Sequence, residues 1–259
     1  MQAPSRFDLS DVVDEVEWCE DVDSTSTFLS QHYHGTSKAV FSWNQTGGRG
    51  RLGREWVSPA GGSLAMSVAL WPEVVPKNLT SEWLGALSLI TAATLADALR
   101  PHLDEPVRIK WPNDVMVSGK KVAGILGEIP QQGLVIIGVG LNVSLNSDEL
   151  PTDRSTSLSL HGFDTSGIGK VVETFLRHLR QALRDSQDGL SREKLAWLSE
   201  QVETIGSRVR VDFPAGDSRE GSALSLDSSG RLVVRFDGSA TLEIIDAADV
   251  WHLRPAQAH

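Results

Sequence analysis

Residues 45–56 read QTGGRGRLGREW, and residues 110–126 read KWPNDVMVSGKKVAGIL. Four glycines fall within seven consecutive positions of the first segment, which predicts a loop whose backbone N–H groups can approach an anion closely. Arg49 and Arg51 alternate with those glycines and add fixed charge and bidentate donors. In the second segment Lys110 interrupts an apolar strand, where an ammonium is costly unless an anion faces it. The two segments therefore predict a site for a small anion.

Each segment also has a plainer interpretation. The first could be a surface turn with solvated arginines, and the second an ordinary hairpin with Lys120 and Lys121 in solvent. The occurrence of both in one chain, with Gln45 before the arginines and Trp56 after them, favours a functional site.

Apolar periodicity predicts an α+β fold. Strands are predicted at 38–43, 63–70, 107–111, 115–117, 121–126 and 134–143. Helices are predicted at 80–100, 168–183 and 192–199. Within 63–70 one face carries only serine and alanine, so we expect that face to pack closely against another element. The nearly continuous apolar run at 134–143 is typical of a central strand.

The character of the sequence changes after residue 203. Short alternating strands follow, and Asp237-Gly238 is a hairpin signal. We therefore predict two domains, a larger one at 1–202 and a compact β-barrel at 203–259.

Composition limits the classes of function. The 259 residues carry a net charge of −10, which disfavours a general nucleic-acid binder because such proteins need a basic face. The single cysteine, Cys19, excludes an internal disulfide and a cysteine-based zinc site and favours a reducing compartment. The chain has neither a long apolar run nor a secretory signal at its start. A cytoplasmic enzyme or binding protein, without membrane association, is the resulting expectation.

Weaker motifs add little. Gly138-Val-Gly140 lacks the third glycine of a dinucleotide fingerprint, and no P-loop sequence occurs. Asn142, at the end of the predicted central strand, either caps a turn or faces a nucleotide.

The two long segments, in this order, resemble those of biotin protein ligases. The family pattern has a Ser-Thr-Asn, then GRGRxGRxW, then KWPND…GxKxxGIL, then a GxGxN strand, and the resemblance covers roughly residues 20–254. It implies a mixed, mostly antiparallel sheet with helices packed on it, similar to class II synthetases, and a C-terminal SH3-like barrel. Ser26 stands where the family usually has Asn. Only about 22 residues precede Asp23, too few for the winged helix of many bacterial members, so we expect the short form that does not act as a repressor.

The resemblance also implies roles for individual residues. The biotin-binding residues would be Ser24, Thr25, Ser26, Gln45, Arg49, Gly50, Arg51, Lys121 and Gly124. The ATP-binding residues would be Arg49, Arg51, Trp56, Lys110, Asn113, Lys121 and Asn142. The catalytic residues would be Arg51, Lys110, Asp114 and Lys121, with Asp114 also holding Mg²⁺.

The implied reaction is ATP-dependent formation of biotinyl-5′-AMP, followed by transfer of biotin to a lysine of a biotin carboxyl carrier domain in an acyl-CoA or pyruvate carboxylase. A monomer or weak homodimer is expected. Two other classes stay open: a lipoate ligase or octanoyltransferase, and a non-catalytic ligand-binding or regulatory protein. The terminal barrel could also be an interaction module with its own partner.

Overall fold

The structure is a computed structural model that describes Phe7 and residues 9–77, 79–213, 216–245 and 249–252. Its α-helices are α1 (Thr25–Gln31), α2 (Ser81–Leu99), α3 (Ile168–Arg184) and α4 (Arg192–Gln201). None of the helices in these ranges is long and apolar enough to cross a membrane.

A mixed seven-stranded sheet forms the body of the N-terminal region. The strands up to residue 142 are β1 (Glu15–Cys19), β2 (Lys38–Ser42), β3 (Gly48–Arg49), β4 (Glu55–Trp56), β5 (Ser63–Ala69), β6 (Val107–Lys110), β7 (Asp114–Val117), β8 (Lys120–Gln131) and β9 (Leu134–Asn142). The sheet order is β1-β2-β5-β9-β8-β7-β6, and β3 pairs only with β4. Every neighbouring pair in the large sheet is antiparallel except β1 with β2. The predicted mixed, mostly antiparallel sheet is therefore confirmed, with β9 at its centre.

The two faces of this sheet carry different side chains. One face holds the main apolar core, in which Leu64, Val139 and Ile125 are buried under α2 and α3. All eight residues of α3 that are buried in the structure belong to its predicted apolar stripe. The opposite face carries α1, and only a small apolar cluster including Leu29 and Ile136 lies beneath it. Small residues of β5, β8 and β9, among them Ser67, Gly124 and Gly140, also lie on this second face and leave room above the sheet.

The helix ends follow the sequence signals. The Thr80 side chain accepts a hydrogen bond from the Trp83 N–H at 3.1 Å and caps α2. Helix α2 ends at Leu99, two residues before Pro101, which cannot continue it.

The C-terminal strands form a second, smaller antiparallel sheet. They are β10 (Arg208–Asp212), β11 (Ser218–Leu226), β12 (Leu232–Phe236), β13 (Glu243–Ile245) and β14 (Asp249–His252), in the order β13-β12-β11-β10-β14. This arrangement is consistent with the predicted small SH3-like domain, and in the residues that the structure describes its five strands form an open sheet and not a closed barrel. The short strands β13 and β14 stay at opposite edges, because β13 pairs only with β12 and β14 only with β10.

The two sheets are joined through Trp111, which follows β6. Its backbone N–H donates to Thr204 Oγ1 and its indole N–H donates to the Gly230 carbonyl, both at 3.0 Å. Buried apolar residues of both sheets belong to one continuous cluster. The predicted domain boundary between residues 202 and 203 stays a prediction.

Candidate active site

A network of buried neutral side chains lies at the start of α1. The backbone N–H of Thr25 donates to Gln45 Oε1 at 2.9 Å, and the Thr25 hydroxyl donates to the same oxygen at 3.1 Å. The Ser67 hydroxyl lies 2.7 Å from the Thr25 hydroxyl and 2.9 Å from that of Ser26. One consistent assignment has Ser26 donating to Ser67, Ser67 to Thr25 and Thr25 to Gln45. Each hydroxyl then keeps a lone pair that can accept an N–H group from a ligand.

Ser24 and Asp23 hold this network in place. Ser24 is the N-cap of α1, and its hydroxyl accepts a bond from the Thr27 N–H at 3.4 Å. The Ser24 N–H donates to Asp23 Oδ1 at 2.6 Å, and the Gly47 N–H donates to the Asp23 carbonyl at 2.6 Å. The helix start and the glycine-rich segment are therefore fixed to the same residue.

The glycine-rich segment forms a short hairpin, not the open loop that its composition predicts. Strand β3 pairs with β4, which places Gly48 opposite Trp56. The Gly50 N–H donates to the Arg54 carbonyl at 2.7 Å. A Cβ atom at Gly48 would lie 2.5 Å from the Trp56 carbonyl oxygen, so only glycine allows this close pairing. The hairpin thereby sets the position of the Trp56 side chain.

Trp56 lies flat against two glycines of the large sheet. A Cβ atom at Gly140 would lie 2.3 Å from Cε2 of the indole, and one at Gly124 would lie 3.2 Å from its Cζ3. Gly124 and Gly140 are register partners on β8 and β9. Gly140, from the Gly138-Val-Gly140 sequence that matched no dinucleotide motif, therefore leaves space for an aromatic ring.

The two arginines of the hairpin differ in their surroundings. Arg49 is exposed and forms an ion pair with Glu128, with Nη2 and Oε1 3.1 Å apart. Arg51 is half-buried, and this burial lowers its guanidinium pKa, while the charge of Asp114 opposes the shift and that of Arg54 adds to it. Because arginine titrates far above neutral pH, Arg51 keeps its charge.

Lys121 is held by a carboxylate and an aromatic ring. Its Nζ lies 2.6 Å from Asp114 Oδ1 and 5.5 Å from the centre of the Trp56 ring. Its backbone is fixed on both sides, because its N–H donates to the Arg154 carbonyl at 2.7 Å and its carbonyl accepts from the Thr156 N–H at 2.8 Å. The predicted catalytic pair Asp114 and Lys121 is therefore brought together by β7 and β8.

Lys110 lies across from Asp114 in the β6–β7 hairpin. Burial lowers the pKa of its ammonium, and the nearby charge of Asp114 opposes that shift. Its Nζ lies 4.9 Å from the centre of the Trp251 ring on β14. The cation expected from the sequence thus faces the junction between the two sheets.

The two asparagines are bonded to backbone. Asn113 Nδ2 donates to the Ile125 carbonyl at 2.6 Å, which fixes the turn after β6 to β8. Buried Asn142 accepts from the Ser63 hydroxyl and donates to the Thr156 carbonyl, both at 2.9 Å. These contacts hold Asn142 between β5 and the backbone at Thr156, and both interpretations of Asn142 stay predictions.

Two neighbouring cavities open on the α1 face of the sheet. The larger has a volume of about 690 Å³ and is lined by the hairpin residues, including Gln45, Arg49, Gly50, Arg51 and Trp56, together with Leu126 and Glu128. The smaller, of about 450 Å³, is lined by one face of α1, including Ser26, and by residues of β8 and β9. Arg49 and Glu128 line both cavities, so their ion pair stands at the boundary between them.

A magnesium ion would find one suitable carboxylate here. No group of three or more His, Cys, Asp or Glu side chains gathers at a possible metal site anywhere in the described ranges. Mg²⁺ commonly binds through one or two carboxylates together with substrate phosphates and water. Asp114, among Lys110, Lys121 and Arg51, fits that kind of site.

Comparison with known proteins identifies the family. Residues 18–142 match the family model described as the Biotin/lipoate A/B protein ligase family. The biotin--[acetyl-CoA-carboxylase] ligase of Mycobacterium tuberculosis is 36% identical over 217 residues, which cover 82% of this chain and 77% of that protein. The chain belongs to the biotin protein ligase family. Its members are enzymes, and the predicted family assignment is confirmed.

Solved structures agree with the fold of this ligase. The biotin protein ligase from Aquifex aeolicus in complex with biotin and ATP superimposes with a TM-score of 0.76 at 26% identity, covering 92% of this chain and 99% of that one. The Leishmania major enzyme in complex with biotinyl-5-AMP superimposes with a TM-score of 0.60 at 27% identity, covering 90% and 99%.

Several residues of the site escaped the sequence analysis. Ser67 joins the network, Gly140 receives Trp56, and Glu128 pairs with Arg49. The small face of β5 was a signal for Ser67, because buried serines on an alternating strand need polar partners.

Proposed function

We propose that this ligase activates biotin with ATP to biotinyl-5′-AMP, releasing pyrophosphate, and then transfers biotin to a lysine of a carboxylase carrier domain. One observation carries the proposal: a neutral hydrogen-bond network lies beside a set of cations around Asp114, one of which, Lys121, also lies on Trp56. Biotin pairs a neutral cyclic urea with a carboxylate, and such a ligand needs both kinds of surface.

The neutral network suits the urea ring. Ser24, Thr25 and Gln45 are proposed to bind it, because hydroxyl lone pairs can accept the two urea N–H groups and hydroxyl or amide protons can reach its carbonyl. Ser26 stands where the family usually has Asn. In this proposal it contributes to biotin binding through the hydrogen bond between its hydroxyl and that of Ser67, whose oxygens are 2.9 Å apart. The biotin contacts proposed for Gly50 and Gly124 are backbone contacts, since neither residue has a side chain.

The cations suit the activation step. The carboxylate oxygen of biotin attacks the α-phosphorus of ATP, the bond from that phosphorus to the bridging oxygen breaks, and pyrophosphate leaves with the bonding electrons. Two anions must approach each other, so cations fixed in advance lower the barrier. Arg51 and Lys121 are proposed to lie at the reacting groups, with Arg49 and Lys110 on the phosphates. Mg²⁺ held by Asp114 would neutralise charge on the leaving pyrophosphate.

Trp56 is proposed to cover the adenine. Its indole stays beside Lys121 and on Gly124, so a nucleotide bound against it would have its phosphates near the ammonium. Asn113 and Asn142, proposed near the nucleotide, would act by fixing the backbone around Ile125 and Thr156.

The second step consumes the mixed anhydride. The neutral amine of the carrier lysine attacks the acyl carbon, the bond from that carbon to the phosphate oxygen breaks, and AMP leaves. The amine loses its proton on forming the amide. The carriers proposed are biotin carboxyl carrier domains of acyl-CoA or pyruvate carboxylases. A cytoplasmic location, a monomer or weak homodimer, and the absence of DNA binding remain part of the proposal.

Intact mass spectrometry of a carrier domain tests the proposal. Incubation with biotin, MgATP and the ligase should add one biotinyl group, and a carrier whose acceptor lysine is replaced by arginine should stay unmodified. Lipoate in place of biotin is the matched comparison for the rival lipoate ligase. Modification with lipoate but not with biotin, or with neither, would overturn the proposal.

A further inference from the structure

Trp251 of β14 is contacted by two cations from the N-terminal region. Lys110 Nζ lies 4.9 Å from the centre of its ring, and the Arg154 guanidinium carbon lies 5.0 Å from it. The indole itself is fixed, because its N–H donates to Asp212 Oδ2 at 2.7 Å. Cations within about 6 Å of an aromatic centre are attracted by the ring. Trp251 therefore holds an arginine and a lysine at the junction of the two sheets.

Arg154 is linked to Lys121 through the backbone. The Arg154 carbonyl accepts the Lys121 N–H at 2.7 Å, and Ser155 forms a bridge to Lys121 in parallel register. The backbone of Arg154 is therefore fixed beside Lys121. Arg154 is exposed, so an incoming anion can reach it.

The charges at this junction favour an anion. Lys110 is surrounded by Lys121 and Arg154 as like charges and by Asp114 and Glu203 as opposite charges. Asp114 is already paired with Lys121. Three cations, Lys110, Lys121 and Arg154, thus face two carboxylates, Asp114 and Glu203. The three cations are therefore incompletely balanced.

The order of groups along the site matches the order of groups in the reaction. Lys121 with Asp114 adjoins Trp56, the residue proposed to cover the adenine, and beyond them Lys110 and Arg154 both lie on Trp251. In the reacting pair, biotin and its carboxylate are followed by the α-, β- and γ-phosphates. The far end of the site thus corresponds to the far end of the triphosphate.

We propose that Arg154, positioned by Trp251, binds the β- and γ-phosphates of ATP and the pyrophosphate formed from them. The proposal rests on the proposed function, because it assumes ATP as the nucleotide. Arg154 lies outside both sequence motifs and beyond the 18–142 segment that matches the family model, so neither points to it. Trp251 is a positioning residue, and it couples the smaller sheet to nucleotide binding.

Steady-state kinetics and calorimetry of Arg154→Ala test this role. We expect the KM for MgATP and the Kd for inorganic pyrophosphate each to rise about tenfold, the loss of one strong charge-assisted contact. The KM for biotin and the Kd for AMP should change less than about twofold. Arg154→Lys should recover part of the loss, because it keeps the charge and lacks the planar fork.

Arg180→Ala is the matched control, since Arg180 also lies on a tryptophan, 5.4 Å from the Trp71 ring centre. It should leave all four constants unchanged. Pyrophosphate binding that is equal in Arg154→Ala and the wild type would overturn the inference, as would an equal weakening of AMP and pyrophosphate. A wild-type protein that transfers no biotin would instead refute the proposed function, and pyrophosphate calorimetry would still decide whether Arg154 binds phosphate.

Discussion

The two ends of the site differ in how far their polar groups are satisfied within the protein. At the start of α1, Thr25 and Ser67 are buried and linked by hydrogen bonds to each other and to Gln45. At the other end, Arg154 is exposed, and Lys110 is held near like charges. The neutral end is fixed before any ligand binds, whereas the cationic end needs an anion to balance it. In the proposed function, recognition of the uncharged ring and activation of the carboxylate would thus depend on different interactions.

The largest effect is expected at the cationic end. Arg51→Ala and Lys121→Ala should each slow adenylate formation by at least about tenfold, or about 1.4 kcal/mol of barrier, because each removes a charge from the transition state. Single-turnover formation of biotinyl-5′-AMP measures this rate. Lys120→Ala is the control, because Lys120 is the exposed neighbour of Lys121 and its removal should leave the rate unchanged. Wild-type rates of adenylate formation in both variants would show that these residues have no part in the mechanism. The proposed difference between the two ends of the site would then be wrong.

At the neutral end, Thr25→Val should act on binding and not on chemistry. It keeps the shape of the side chain but removes the hydroxyl bonded to Gln45 and Ser67. We expect the KM for biotin to rise about tenfold and the free energy of unfolding to fall by about 1–3 kcal/mol, because buried partners lose their bonds. Thr25→Ser, which keeps the hydroxyl, should restore biotin binding. An unchanged KM for biotin in Thr25→Val would show that this network does not recognise the ligand.

Between the two ends, Gly140→Ala tests the position of Trp56. The added Cβ would lie 2.3 Å from the indole, so the ring must move. A smaller effect is expected than for the charge deletions, about a fivefold rise in the KM for MgATP, because a displaced ring still offers a stacking surface. Gly127→Ala is the matched control on β8, where the nearest side-chain atom is 3.4 Å away. Equal kinetics in the two variants would contradict the assigned position of Trp56.

A pH-dependent change in stability is expected from His252, which bonds to Thr204 near Lys110. Burial, and then the charge of Lys110, lower its pKa from 6.5 to about 4. Between those pH values the unfolded chain binds a proton that the folded chain does not, so stability falls as the pH drops through this window. Allowing for partial exposure, the wild type should lose about 2 kcal/mol more than His252→Gln between pH 6.5 and 4. Urea unfolding at several pH values measures this difference. If the free energy of unfolding changed with pH equally in the wild type and His252→Gln, the cationic end would not be holding His252 neutral.

Local patterns in the sequence were sufficient to predict most of the helices and strands. The 3.6-residue period marked the buried stripe of α3, and the small face of β5 indicated the packing that Ser67 makes with Thr25. The glycine-rich and apolar contexts marked Arg51 and Lys110 as candidates, since charged residues among glycines or apolar residues need a specific reason. Lys121 became a candidate only through the family resemblance.

Contacts between segments that are distant along the chain could not be predicted from the sequence. Trp56 reaches Gly140, and Trp251 meets Arg154, across large sequence separations that periodicity does not encode. The predicted barrel is an open sheet in the described residues for the same kind of reason. Alternation identifies strands, whereas closure depends on which edges meet.

Biotin-dependent exchange of labelled pyrophosphate into ATP tests the central claim most directly, because it reports reversible formation of an acyl adenylate without any carrier protein. The account predicts exchange by the wild-type protein that requires biotin and is reduced at least about tenfold in Arg51→Ala and Lys121→Ala. Carrier biotinylation without any such exchange would contradict it, because the anhydride would then not be an intermediate.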